Sequence, residues 1–201
     1  SSAASDVYKR QGMINTAGYS WDPKTDQMKI MIPKIFHGEK KKGRFTKDTV
    51  FFNSKTTLEN IKKFYEGKKI THETILSKTA SLYDPLGFAA PLKVYGSYIC
   101  RRALIDSAGD PLKEVGEATR KLFMQYTYQV KMLETLTFAR NKSMLSRSAE
   151  DMLVMCTDAG VNASVMIFYI GKKTENGLKL DFVFSMYSVS YTHLRAHETT
   201  P

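Results

Sequence analysis

The spacing of apolar residues along the chain changes twice. A partly alternating run follows an Asp-Pro turn between residues 19 and 36, which predicts a strand or hairpin in the first part, residues 12–50. Apolar residues then recur at helical spacing in the second part, residues 51–147, and return to strand patterns in the third, residues 148–188. The pattern therefore predicts an α+β chain in three parts.

Four helices are predicted in the second part. The first ends at Gly67, the second begins at Thr71 with an acid in its first turn, and the third and fourth cover about 91–106 and 114–137. The apolar stripe of the second helix holds Ile75, Leu76, Thr79, Leu82 and Tyr83, and that of the fourth holds Leu122, Tyr126, Val130, Leu133 and Leu136. We expect these stripes to form a core.

The stretch SLYDPLGFAAPL separates the second helix from the third. Asp84, Pro85 and Gly87 occupy the first, second and fourth positions preferred for a type I turn. Because a proline disfavours the α conformation in the residue before it, the second helix must end there. The pattern predicts a rigid stop between two helices and leaves its purpose open.

Three consecutive antiparallel strands are predicted in the third part. DMLVMCTDAG reads as a short buried strand, and ASVMIFYIGKK and LKLDFVFSMY are joined by TENG, whose Asn-Gly pair is typical of a hairpin. Asp158 lies at the end of the first strand, although aspartate is a poor strand former that is rarely buried alone. For this residue by itself, a role in a strand-end turn is the commoner explanation.

Charge favours a polyanionic partner without proving one. The 201 residues carry 30 Lys and Arg against 20 Asp and Glu, a net charge of +10. Residues 1–11 and 189–201 resemble translated adapter sequence, and without their three bases and two acids the charge is still +9. Several basic residues of the interior lie in the loop 37–48. The first interpretation of this loop is that it is exposed to solvent.

The sequence argues against a disulfide scaffold, a membrane protein and a secreted protein. Cys100 and Cys156 lie far apart, so we expect two reduced, buried thiols. No apolar run approaches the roughly 20 residues of a membrane span, and the start lacks the regions of a signal peptide. We therefore expect an intracellular protein without a membrane partner.

The order of motifs resembles a known family. AGYSWDPKTDQMKIMI, ITHETILSKTASLYDPLGFAAPL, LETLTFAR and DMLVMCTDAGVNASVMIFYI follow one another as in the Pol polyprotein of BEL/Pao long-terminal-repeat retrotransposons, in a region sometimes named Pao retrotransposon peptidase. The resemblance covers residues 12–188. It implies the end of a reverse transcriptase palm, then a helical thumb and connection, then the opening strands of an RNase H domain.

The resemblance also implies a partner, a metal and site residues. The partner would be an RNA/DNA hybrid or template-primer duplex, with Lys78, Lys93, Arg101 and Arg102 neutralising phosphates beside the turn. Asp158 would be the RNase H aspartate that helps to bind Mg²⁺, with its partner carboxylates on later elements. The protein would act in cytoplasmic virus-like particles or in the nucleus, next to the rest of the Pol polyprotein.

Two other functions stay open. VMCTDAGVNASVMI also resembles the active strand of retroviral aspartic peptidases, although Ala159 stands where a peptidase needs a hydroxyl. Alternatively, the chain only binds nucleic acid or packs within the polyprotein. No Tyr-x-Asp-Asp polymerase motif occurs, so we expect the isolated chain to be inactive in DNA synthesis.

Overall fold

The computed structural model describes residues 13–33, 52, 54–140, 151–160 and 163–189, and the predicted basic loop 37–48 lies outside them. Within these ranges the protein has an α+β fold, as predicted. The strands are β1 Ile14–Thr16, β2 Tyr19–Asp22, β3 Gln27–Ile30, β4 Phe138–Ala139, β5 Met152–Ala159, β6 Ala163–Thr174 and β7 Gly177–Val189. The α-helices are α1 Leu58–Tyr65, α2 His72–Ser81, α3 Ala90–Asp106 and α4 Glu117–Met132.

Local sequence explains where the first two helices begin. The Thr57 hydroxyl accepts a hydrogen bond from the Asn60 backbone N–H at 3.2 Å, and the Asn60 side chain accepts one from the Thr57 N–H at 3.1 Å, which forms a capping box before α1. Thr71 caps α2 by accepting from the Thr74 N–H at 3.2 Å. These caps satisfy backbone donors that the helices themselves leave unpaired.

The predicted fourth helix is too long at both ends. Gly116 has extended backbone angles and precedes α4, and after Met132 the chain tightens into a 3₁₀ turn, Leu133–Thr135. Leu136 is then extended and 46% exposed, so it does not belong to the buried stripe. The chain leaves the helix here because it must reach β4, which pairs with β3.

The core lies among the four helices. Its fully buried apolar side chains include Ile61, Ile75, Ile99, Phe123 and Val130, one or more from each helix. Burying such a side chain contributes about 1.5–3 kcal/mol. The stripe predicted for α2 is only partly right, since Ile75 and Leu82 are buried whereas Leu76 and Tyr83 are exposed.

The first part, for which the sequence predicts a strand or hairpin, forms the hairpin of β2 and β3, which β1 from the same part and β4 from the second part extend into a sheet. The sheet order is β1-β2-β3-β4, and every neighbouring pair is antiparallel. Tyr19 and Ile30 face each other across β2 and β3, and both are buried. This sheet thus shares the core of the helices.

The third part is the predicted antiparallel meander, in the order β5-β6-β7. Gly177 follows Asn176 in the hairpin with φ +116°, a conformation that glycine adopts without strain. The prediction that β5 is buried is wrong, because Leu153 is 72% and Met155 56% exposed. Cys156 on the same strand is exposed too, against expectation. In the described sheet β5 is an edge strand with β6 as its one neighbour, and this position leaves it open to solvent.

The DPLG segment forms a turn around a buried carboxylate. The Gly87 N–H donates to the Asp84 carbonyl at 3.3 Å, which closes the predicted turn. The Asp84 side chain accepts from the N–H groups of Phe88 at 3.1 Å and Ala89 at 2.7 Å, just before α3, and from the Tyr19 hydroxyl. Asp84 therefore connects the first sheet to the start of α3.

The same turn also holds the second sheet. The Ser185 N–H on β7 donates to the Leu86 carbonyl at 2.9 Å, and the Ser185 hydroxyl donates to the Gly87 carbonyl at 2.7 Å. The Leu86 N–H donates to the Tyr19 hydroxyl at 3.0 Å. Burial, and next the hydrogen bond to Asp84, raise the pKa of Tyr19 well above its ordinary value, so the hydroxyl stays a donor. All three parts of the chain thus meet at this turn.

Gly87→Ala should destabilise the protein more than Gly109→Ala. Both glycines have positive φ, +77° and +85°, so an alanine costs about 1–2 kcal/mol of backbone strain at either position. Only at Gly87 would the new Cβ also lie 2.3 Å from the Ser185 carbonyl oxygen, whereas nothing lies within 4 Å at Gly109. We expect a further loss of about 1–3 kcal/mol from the disturbed contact with β7, measured by urea unfolding. Equal losses in the two variants would show that the contact with Ser185 contributes nothing.

Candidate nucleic-acid interface

Two of the four predicted phosphate-binding residues, both on α3, line the same cavity. Lys93 and Arg101 are eight residues apart, about two helical turns, and therefore lie on one side of the helix. Arg102 lies about half a turn from Lys93 around the axis, where its Nη1 donates to the Tyr98 hydroxyl at 3.3 Å. This hydrogen bond raises the pKa of Arg102 above its ordinary value. The structure brings Lys93 and Arg101 together and separates Arg102 from Lys93.

Lys93 and Arg101 line a cavity between α2, α3 and the end of β7. The cavity has a volume of about 350 Å³ and is called the α3 cavity below. The Lys93 ammonium lies 6.0 Å from the centre of the Tyr187 ring, within reach of a cation–π interaction. The lining residues include His72, Leu76, Thr79, Ala80, Lys93, Ser97, Arg101, Leu104 and Tyr187. A basic helix face, an aromatic ring and apolar side chains thus surround one space.

Lys78 does not contribute to this surface. Its side chain is buried, and its ammonium donates to the Tyr65 hydroxyl at 2.8 Å and lies 5.4 Å from the centre of that ring. Tyr65 is itself buried among the helices. A contact between Lys78 and a phosphate stays a prediction, which this burial disfavours.

Asp158 lies on the same face of the second sheet as Tyr187. The register pairs Asp158 with Val165 and Val165 with Tyr187, so the three form one row across β5, β6 and β7. Residues paired in this way point to the same face of a sheet, and two strand spacings separate the outer Cα atoms by about 10 Å. Asp158 is exposed and lies within the strand ladder, not in the turn after it.

The described residues around Asp158 do not fit a metal site. No group of three or more His, Cys, Asp or Glu side chains within the described ranges is arranged to hold a metal ion. A single exposed carboxylate does not supply the several oxygen ligands that Mg²⁺ requires from protein and substrate. Its role as a magnesium ligand therefore stays a prediction.

Tyr187, Ser185 and Tyr19 were not identified from the sequence. Each lies on a strand whose own pattern gives no sign of its partner in another part of the chain. Alternation on β7 does predict that Ser185 and Tyr187 share a face, since they are two residues apart. Which helix that face contacts could not be read from the alternation.

The combination of a helical unit with an antiparallel meander is consistent with a fragment of an RNase H-like protein. The family model described as Pao retrotransposon-like RNaseH-like domain matches residues 71–195, so the chain belongs to this family. It is accordingly part of a Pao-type Pol polyprotein. No curated protein matches the chain, and no solved structure matches it.

The matched range crosses the predicted domain borders. It begins at the cap of α2, includes the helices that the sequence assigned to a thumb and connection, and continues past the border predicted at residue 148. The predicted borders and adapter-like ends stay predictions. Within the described residues, no helix combines the length and the apolar character needed to cross a membrane.

Replacing Lys78 with alanine should reduce stability. The substitution removes a hydrogen bond from a charged donor and the packing of the buried stem, and we expect a loss of about 2 kcal/mol in the free energy of unfolding. Lys121→Ala, at an exposed site on α4, is the matched control and should change it by less than about 0.5 kcal/mol. Thermal and urea unfolding measure both. An unchanged unfolding free energy for Lys78→Ala would mean that its bond to Tyr65 contributes nothing.

Proposed function

We propose that the Pol protein to which this chain belongs acts in reverse transcription, and that this chain supplies a surface that contacts an RNA/DNA hybrid or template-primer duplex. The observation that carries the proposal is the position of Lys93 and Arg101. They lie together at the α3 cavity, beside Tyr187 and on the side of the sheet where Asp158 lies. Membership of an RNase H-like family agrees with such a partner.

The charges of this surface favour phosphate contacts without base recognition. No carboxylate is among the described side chains that line the α3 cavity, so the charged side chains of this lining are basic. Lysine and arginine side chains neutralise phosphates and release counterions, which gives affinity that depends on salt and not on sequence. The net charge of +10 strengthens this attraction at longer range.

Asp158 is proposed to be a functional carboxylate of the longer Pol protein. The described residues do not assemble a magnesium site around it. The RNase H-like family description favours an RNase H role over a peptidase role. Ala159, which follows Asp158, lacks the hydroxyl that an aspartic peptidase would need beside it.

The double substitution Lys93→Ala with Arg101→Ala should weaken binding to a labelled RNA/DNA hybrid. It removes two phosphate contacts, so affinity should fall and the slope of log affinity against log salt should decrease by about 2. Fluorescence anisotropy over a series of salt concentrations measures both quantities.

Lys113→Ala with Lys121→Ala is the control for this experiment. Both lysines are exposed and lie outside the α3 cavity, and their loss changes the net charge by the same amount. We expect this control to retain most of the affinity. An equal loss of affinity in both double variants would mean that only the overall charge matters. No loss of affinity in Lys93→Ala with Arg101→Ala would contradict the proposed interface.

The 201-residue chain should not cleave the RNA strand of a hybrid in Mg²⁺, because its described carboxylates form no metal cluster. Asp158→Asn should change its unfolding free energy by less than about 0.5 kcal/mol, since the side chain is exposed. Gel analysis of a labelled hybrid and urea unfolding measure the two. RNA cleavage that the substitution abolishes would show that this chain alone completes the site.

In the complete Pol protein, Asp158→Asn should abolish cleavage of the RNA strand and leave DNA synthesis nearly unchanged. The substitution keeps the shape of the side chain and removes the charge that a metal would bind. If polyprotein processing fails instead, Asp158 belongs to a peptidase. If neither activity changes, it is only a residue of the strand.

A further inference from the structure

The α3 cavity is a pocket and not a flat basic surface. Its volume of about 350 Å³ falls at the lower end of the range of small-molecule sites, roughly 300–1,000 Å³. A duplex can lie across the mouth of the cavity but cannot enter it, because a double helix is much larger than the cavity. Whatever occupies the cavity is therefore a small molecule or a single residue of a polymer.

The lining of the cavity combines two chemistries. Lys93 and Arg101 provide positive charge, whereas Leu76, Leu104 and the Tyr187 ring provide apolar and aromatic surface. The ammonium of Lys93 lies beside the Tyr187 ring, so charge and ring are adjacent. A nucleotide has the matching arrangement, with an anionic phosphate next to a flat base that stacks on aromatic side chains.

The serine and threonine hydroxyls of the lining already donate to the backbone. The Ser97 hydroxyl donates to the Lys93 carbonyl at 3.0 Å, and the Thr79 hydroxyl donates to the carbonyls of Ile75 at 2.9 Å and Leu76 at 3.1 Å. Their protons are therefore not available to distinguish the edges of different bases. The contacts expected to hold a nucleotide here are therefore those to its phosphate and to the face of its base, and every base has such a face.

We infer that the α3 cavity binds one unpaired nucleotide of a nucleic-acid strand, with the phosphate at Lys93 and Arg101 and the base against Tyr187 and the leucines. This inference rests on the proposed function, since the same two cations contact the nucleic acid in both. It adds that the preferred ligand is a duplex with an unpaired end, and that the preference is independent of base identity.

The test compares a blunt RNA/DNA hybrid with the same hybrid carrying a short single-stranded overhang, each titrated with the full chain. The wild type should bind the overhang substrate about tenfold more tightly than the blunt hybrid, because stacking of one base on an aromatic ring contributes about this much to affinity. Overhangs of different base composition should bind alike. Equal affinity for blunt and overhang substrates would overturn the inference.

Two substitutions separate the cavity from the surface charge. Ala80→Phe fills the cavity and keeps both cations, and Tyr187→Leu removes the ring and leaves the cavity open. Each should remove the preference for the overhang and leave the affinity for the blunt hybrid unchanged. Thermal unfolding shows whether each variant folds. If one does not fold, the result for the other variant tests the inference. An intact preference in a folded variant would overturn the inference.

Competition distinguishes a nucleotide from its phosphate alone. Deoxyadenosine monophosphate should displace the overhang substrate at lower concentration than inorganic phosphate does. If the two compete equally, the base makes no contact and the inference is wrong. Failure of the proposed function looks different, because Lys93→Ala with Arg101→Ala would then leave even the blunt hybrid bound as in the wild type.

Discussion

The buried carboxylate of Asp84 is the constraint on which the arrangement of this protein depends. Removing a charged carboxylate from water costs several kcal/mol unless hydrogen bonds compensate it. Here two backbone N–H groups ahead of α3 and the Tyr19 hydroxyl compensate it. The N-terminal end of a helix also favours a negative charge electrostatically. Because these donors come from two parts of the chain, Asp84 is satisfied only when the first sheet and α3 have the relative position observed.

The position of the basic surface follows from this turn. The carbonyl groups of Leu86 and Gly87 accept hydrogen bonds from Ser185, which lies two residues before Tyr187 on β7. These bonds fix the position of β7 at that point. Tyr187 is thereby placed beside Lys93 on the first turn of α3. The helix, rigid turn and helix read from the sequence serve to hold a strand of the second sheet against α3, and the α3 cavity is the space left between them and α2.

Lysine residues illustrate why charge alone does not identify an interface. Lys78 is buried against Tyr65, and Lys131 is buried in an ion pair with Glu134, where burial lowers the pKa of Lys131. The first contact joins α2 to α1, and the second is local to the end of α4. Lys93 instead lies at a cavity where no described acid offsets it. The net charge of +10 includes all three lysines equally, although of these three only Lys93 lines the α3 cavity.

The sequence alone determined the helices, the hairpins, the turn at Asp84 and the α+β class, because caps, periodicity and turn residues act over a few neighbouring positions. The family resemblance also named Lys93 and Arg101 as phosphate contacts, but only together with Lys78 and Arg102, and it did not separate the first two from the others. Only the tertiary structure decided that Lys78 is buried, that β5 is exposed and that Asp158 shares a sheet face with Tyr187. The physical reason is that these outcomes depend on contacts between distant residues, such as Tyr19 with Asp84, 65 positions apart, and Gly87 with Ser185, 98 positions apart.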